Sequence, residues 1–275
     1  MENEIYTLDE LITINESFMV ILDSRNGNII NSPYNSEVEF QFEGELFFDA
    51  EDYIQLSFAV NSFSVANCIY IINENNNLLS ITLNSITTNY YIDYGNYNID
   101  TFKTYLLTIL PSTFSMTYST INNKYTITNS TYNFVINNTS TIYEIMGFSK
   151  TTTYTSINKS LTLPYTCNFN GIQNINISWE NLNTDNLDSF TKAQSNIIQN
   201  ISVDVNKSII NFNKTNTLMI PIKTNFLDSI IISLKDDLNN SLNLNNQHFN
   251  LTLQFNVIKD INRFKQNFHH IMNKN

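Results

Sequence analysis

Histidine, cysteine and glycine are scarce in this chain: three, two and five among 275 residues. Each shortage closes off a class of chemistry. Cys68 and Cys167 lie far apart, in apolar segments, and form no Cys-x-x-Cys or Cys/His ligand spacing, so no zinc motif is present. They read as buried free thiols, with a single disulfide as the alternative. His248 falls in an Asn-rich turn, and a Ser-His-Asp arrangement would require it to face a nucleophile. His269 and His270 are adjacent, so on a helix their rings diverge and do not make the i, i+4 clasp of a metal site. Gly95 stands alone, without the further glycines and the Lys-Ser/Thr pair that wrap a phosphate. No catalytic, cofactor-binding or metal-binding residue is expected, and no cofactor.

Basic residues are also few. Fourteen Lys and Arg stand against 25 Asp and Glu, a net charge of -11, which argues against a mainly electrostatic nucleic-acid binder. The exception is the C-terminus. From Lys259 to Asn275 four basic residues face only Asp260, a local +3 that leaves -14 on the remainder. No apolar run is long enough to span a bilayer, and the acidic start Met1-Glu-Asn-Glu4 lacks the basic and apolar parts of a signal peptide. A soluble protein made in the cytoplasm is the expectation.

What the chain has in quantity is Asn, roughly one residue in six, together with Ile, Leu, Phe, Tyr, Ser and Thr. Branched and aromatic side chains fit a pleated surface, so the fold class expected is all-β. Phe18 to Leu22 reads as a buried strand ended by Asp-Ser-Arg-Asn-Gly27. Glu37-Val-Glu-Phe-Gln-Phe-Glu43 alternates, with Val38, Phe40 and Phe42 on one face and acids on the other. Further strands are expected at 54–60, 68–72, 79–83, 174–179, 197–205, 217–222, 229–234 and 249–258. Phe114–Tyr118, Tyr125–Thr128 and Tyr132–Ile136 read as a hairpin or meander turning at Asn122-Asn123. Asn runs such as 73–77 and 239–240 mark loops, because Asn tolerates turn conformations.

Two helices interrupt the strands. Asn98 or Asp100 caps one whose apolar face is Phe102, Tyr105, Leu106, Ile109 and Leu110, with Pro111 ending it and Gly95 supplying a positive dihedral at the corner before it. Thr141-Ile-Tyr-Glu144 has capping-box spacing, and Gly147 terminates the short helix that it starts. A third, amphipathic helix is suggested by Val257, Ile261, Phe264, Phe268 and Ile271. The acidic group Glu37, Glu39, Glu43, Glu45, Asp49, Glu51 and Asp52 could hold calcium or serve as paired carboxylates, but alternation explains its first three members as the wet face of a strand.

More than ten short strands indicate a β-sandwich or closed roll. Ile21-Leu-Asp-Ser-Arg-Asn-Gly27, Val60-Asn-Ser-Phe63, Ile92-Asp-Tyr-Gly-Asn-Tyr97 and the helix after it, Ile145-Met-Gly-Phe148, Ile230–Asp237 and Asn250-Leu-Thr-Leu-Gln-Phe255 occur in an order that resembles the penton, or minor capsid, proteins of virophages and polinton-like viruses. The resemblance implies a viral single jelly roll over 1–84 and 161–275 and a β-rich insertion over 85–160 carrying one or two short helices; the charge count adds a basic tail over 259–275. The resemblance also implies a homopentamer at the vertices of an icosahedral capsid, beside the major capsid protein, with no enzymatic activity. The tail could then meet an internal component or the genome. Two other readings are a different capsid role, as major coat or cement protein, and a glycan-binding jelly roll, for which exposed Trp and paired carboxylates in a groove would be required.

Overall fold

The computed structural model describes residues 13–47, 53–182, 187–188, 193–204, 207–214, 219–222 and 226–260. The first strands are β1 Thr13–Asp23, β2 Asn28–Ile29, β3 Glu37–Phe47 and β4 Tyr53–Ala66. After them come β5 Leu78–Leu83, β6 Ile86–Tyr91, helix α1 Ile99–Ile109, β7 Phe114–Ser119, β8 Lys124–Asn129, β9 Phe134–Ile136, helix α2 Tyr143–Met146, β10 Tyr154–Thr155 and β11 Ser160–Thr162. The last group is β12 Asn174–Trp179, β13 Leu187–Asp188, β14 Ala193–Gln194, β15 Ile197–Ser202, β16 Ile209–Asn213, β17 Ile220–Ile222, β18 Phe226–Lys235 and β19 Phe249–Asp260. The chain divides into two compact units, 1–69 with 173–275, and 70–172. Among the described residues no helix is long and apolar enough to cross a membrane.

The first unit is a jelly roll, and its strand order alone identifies it. One sheet runs β1-β19-β4-β16, with β17 also on β4, and the other runs β15-β12-β18-β3-β2. In chain order β1, β3 and β4 alternate between the sheets, β12 and β15 lie together in the second, and β16/β17, β18 and β19 alternate again. That is the double Greek-key winding of a jelly-roll sandwich. The sheets meet through large rings. Phe58 of β4 and Trp179 of β12 pack edge to face at 4.9 Å, and Phe40 of β3 meets Phe249 of β19 at 6.5 Å.

Alternation placed β3 correctly: Val38 and Phe40 are buried, Glu37 and Glu39 only partly so. The run 18–22 differs from its expected burial on both faces. β1 is an edge strand, Phe18 stacks on Phe255 at 5.2 Å, and Met19 and Ile21 point outward at 58% and 74% exposure. An apolar run cannot reveal alternation when its outward positions are apolar too. Val257, expected on a helix, is buried in β19; residues 261–275, with most of the expected helix and basic tail, lie outside the described residues.

The second unit holds two sheets, β10-β9-β5-β6 and β11-β8-β7, around its own core. α1 begins at a capping box: Asn98 Oδ1 accepts from the Thr101 amide at 2.9 Å, and Thr101 Oγ1 accepts from the Asn98 amide at 2.9 Å. Phe102 and Leu106 are fully buried on its inner face. The hairpin β7–β8 turns through Asn123, at φ 56°. β9 leaves that hairpin and pairs instead with β5 and β10, so no meander forms. α2 ends at Gly147, φ 86°, but its capping box is absent: Thr141 Oγ1 accepts from the Leu78 amide at 3.0 Å instead. Nor does Gly95 have a positive φ; it exchanges two 3.0 Å backbone hydrogen bonds with Ile72.

This unit is wider than the insertion expected at 85–160. The strand β5 is central to its sheet, and Ile72 is tied to Gly95, so its start moves to 70. At the other end, the Cys167 amide donates to Asn123 and the Asn168 amide to Ile145, extending it to 172.

Candidate interaction surface

The residues with chemical potential are mostly committed to holding the framework. At the end of β1, Ser24 is 1% exposed, its Oγ accepting from the Phe249 amide at 2.9 Å and lying 3.3 Å from His248 Nδ1. A nucleophilic serine must be reachable, whereas this one pins β1 to the start of β19. Asp23 next to it accepts from Arg25 Nε at 2.9 Å, and that hydrogen bond holds its carboxyl down at about 2. His269 and His270 lie outside the described residues.

Among the described residues no three His, Cys, Asp or Glu side chains gather as a metal site. Of the acidic group, Glu37 and Glu39 occupy the outer face of β3, and Gln41 Nε2 donates to Glu39 at 3.2 Å. Glu43 and Glu45 continue that strand, while Asp49, Glu51 and Asp52 lie outside the described residues. Asp236 and Asp237 are occupied as acceptors: Asp237 takes the Gln173 and Asn174 amides, and Asp236 those of Leu238 and Asn240. Asp236 fastens its own turn, and Asp237 ties that turn to the start of β12.

One polar cluster escaped the sequence reading. On the outer face of the second sheet, Glu180 Oε1 accepts from Lys235 Nζ at 2.7 Å and from the Ser233 hydroxyl. Burial pushes the carboxyl up, but Lys235 and Ser233 outweigh it and leave it below its ordinary range. Next to it, Asn181 Oδ1 accepts from both Trp179 Nε1, at 2.8 Å, and the Ile231 amide, at 3.0 Å. The Glu180–Lys235 and Asn181–Ile231 pairs are 55 and 50 residues apart in sequence, so only the sheet pairing brings them together. Trp179 itself is fully buried, and no sugar can stack on it.

Cys68 and Cys167 are free thiols and half-buried. Burial, chiefly, pushes both thiols up and away from the reactive thiolate. Tyr125, fully buried in the second unit, donates to the Ile99 carbonyl at 2.8 Å, and burial raises its phenol too.

The surface itself carries the clearest signal. Residues 70–172 include four acidic residues, Glu74, Asp93, Asp100 and Glu144, and four lysines, a net charge of zero over 103 positions. The other unit therefore keeps 21 acidic and 10 basic residues and the whole -11. On the neutral unit large apolar side chains stand in solvent: Ile86 at 68%, Tyr91 at 62%, Ile121 at 96% and Ile157 at 77%.

No family model matches this chain, and no curated protein matches it. Among solved structures it is similar to the selenomethionine-labelled mavirus penton protein, at 14% identity and a TM-score of 0.40, over 90% of this chain and 100% of that one. The jelly-roll assignment rests on the strand order.

Proposed function

We propose that this chain is a capsid protein whose copies close into the fivefold vertices of an icosahedral virus particle. The observation that carries this reading is a jelly roll, wound through β4, interrupted by a self-contained unit, and resumed at β12. The ordered sequence segments that resemble penton proteins fall across both parts. A ring of five uses two different surfaces of each copy head to tail, and a sandwich offers different edges, such as β1 and β16, for that purpose. The net charge of -11 on the chain outside the inserted unit keeps free particles apart, and the outer rim of the ring would meet the major capsid protein.

Native mass spectrometry of the full chain tests it. The expected species is one ring of five times the 31.8 kDa chain mass, or a whole number of such rings. A trimer would point to a coat protein, and a monomer that retains a neutral oligosaccharide would point to a lectin; either result overturns the vertex role.

A further inference from the structure

We infer that the inserted unit pairs with a second copy of this chain through its exposed edge strand β6. Asn84 and Ser85, at φ 48° and 64°, form the two-residue turn that joins β5 to β6 and closes on Leu83 and Ile86. In such a hairpin the closing residues direct their backbone groups at each other, and successive residues alternate. Ile92 keeps the phase, since its amide donates inward to Asn77 at 2.9 Å. Thr87, Asn89 and Tyr91 therefore turn their N–H and C=O groups outward, where β6 has no further strand among the described residues.

Edge strands usually carry a lysine, a proline or a bulge that discourages pairing. Here residues 75–92 contain no charge and no proline, and the pairing of β5 with β6 is regular over all six residues. A second copy is the occupant that the charge favours. Two chains of net charge -11 repel wherever their sandwiches approach, while the unit bearing β6 is neutral. Antiparallel pairing about a two-fold axis through Asn89 sets Thr87 opposite the partner's Tyr91 and bonds all three outward residues. The same contact brings the exposed Tyr91 rings under cover. An isologous contact cannot close a ring of five, so this pairing goes beyond the vertex role.

A charge swap on the axis tests it in the full chain. Asn89 is exposed, so Asn89→Lys and Asn89→Asp keep every backbone bond while each sets like charges face to face across the axis. Wild-type protein is expected to have twice the mass of either variant alone by native mass spectrometry, and an equimolar mixture of the two variants should regain that doubled mass. The factor of two reads on this pairing; the absolute mass reads on the ring. In hydrogen exchange, the Thr87, Asn89 and Tyr91 amides should exchange at least tenfold more slowly at high protein concentration than at low. Equal masses for wild type and variants, or exchange that ignores concentration, overturn the inference, including the case in which β6 captures only foreign strands.

Discussion

The indole of Trp179 meets the ring of Phe58 edge to face, with centroids 4.9 Å apart and planes at 72°, and so couples the two sheets of the sandwich. Phe255 closes the group at 6.4 Å from the indole. Because Trp179 is the only tryptophan, its emission reports on this junction alone. Emission should be blue-shifted in the native protein and should move red as the sandwich unfolds. Trp179→Ala empties the largest buried side chain and is expected to cost about 3–5 kcal/mol. Trp179→Phe should cost less, because the ring contacts persist and Asn181 keeps its bond from the Ile231 amide. Equal urea midpoints for Trp179→Ala and wild type, followed by far-UV circular dichroism, would contradict this role.

The ion pair on the outer face gives a pH dependence with a definite sign. The Glu180 carboxyl is held below its ordinary value of 4.5, because Lys235 and Ser233 favour the charged form more than burial disfavours it. A group whose folded value is depressed contributes fully above its unfolded value and loses that contribution as pH falls through the folded one. The sandwich should therefore lose stability on acidification below about 4.5. Glu180→Gln should flatten that part of the profile and cost about 1–3 kcal/mol at neutral pH, since Lys235 is left partly buried and unpaired. Thermal melts of both proteins between pH 3 and 7 measure it; parallel curves would show that Glu180 contributes nothing to the acid limb.

How much of this could be read from the sequence depended on the range of the interaction. Local patterns were legible: the alternation of β3, the Asn98 cap, the αL stop at Gly147 and the turn at Asn123 each depend on residues within a few positions. Thr141 shows the limit. It has capping-box spacing with Glu144, but Leu78, 63 residues away, takes its hydroxyl. The Glu180–Lys235 pair, the Trp179–Asn181–Ile231 lock and the extent of the second unit all follow from strand pairing, which periodicity does not encode. Charge segregation was present in the sequence throughout, yet it becomes visible only once the limits 70 and 172 are known.

Glycine shortage also explains where left-handed backbone went. Among the described residues nine non-glycine residues have positive φ and seven of them are Asn, including Asn84, Asn123 and Asn158, so Asn fills the turns that glycine fills elsewhere. The few glycines retained then differ sharply in need. Gly147 sits at φ 86°, and a Cβ there would lie 2.4 Å from the Tyr165 carbonyl oxygen and 2.8 Å from that of Thr166. Backbone cannot swing aside as a side-chain tip can, so Gly147→Ala adds a steric clash to a left-handed penalty and should cost more than about 2 kcal/mol. Gly95 has neither constraint: its nearest contact would be the Tyr97 ring at an ordinary 3.5 Å. Gly95→Ala should range from neutral to about 1 kcal/mol stabilising, through the reduced freedom of the unfolded chain. Near-UV circular dichroism in the tyrosine band reads the melting of this tryptophan-free unit. A Gly147→Ala midpoint at or above that of Gly95→Ala would refute the contrast.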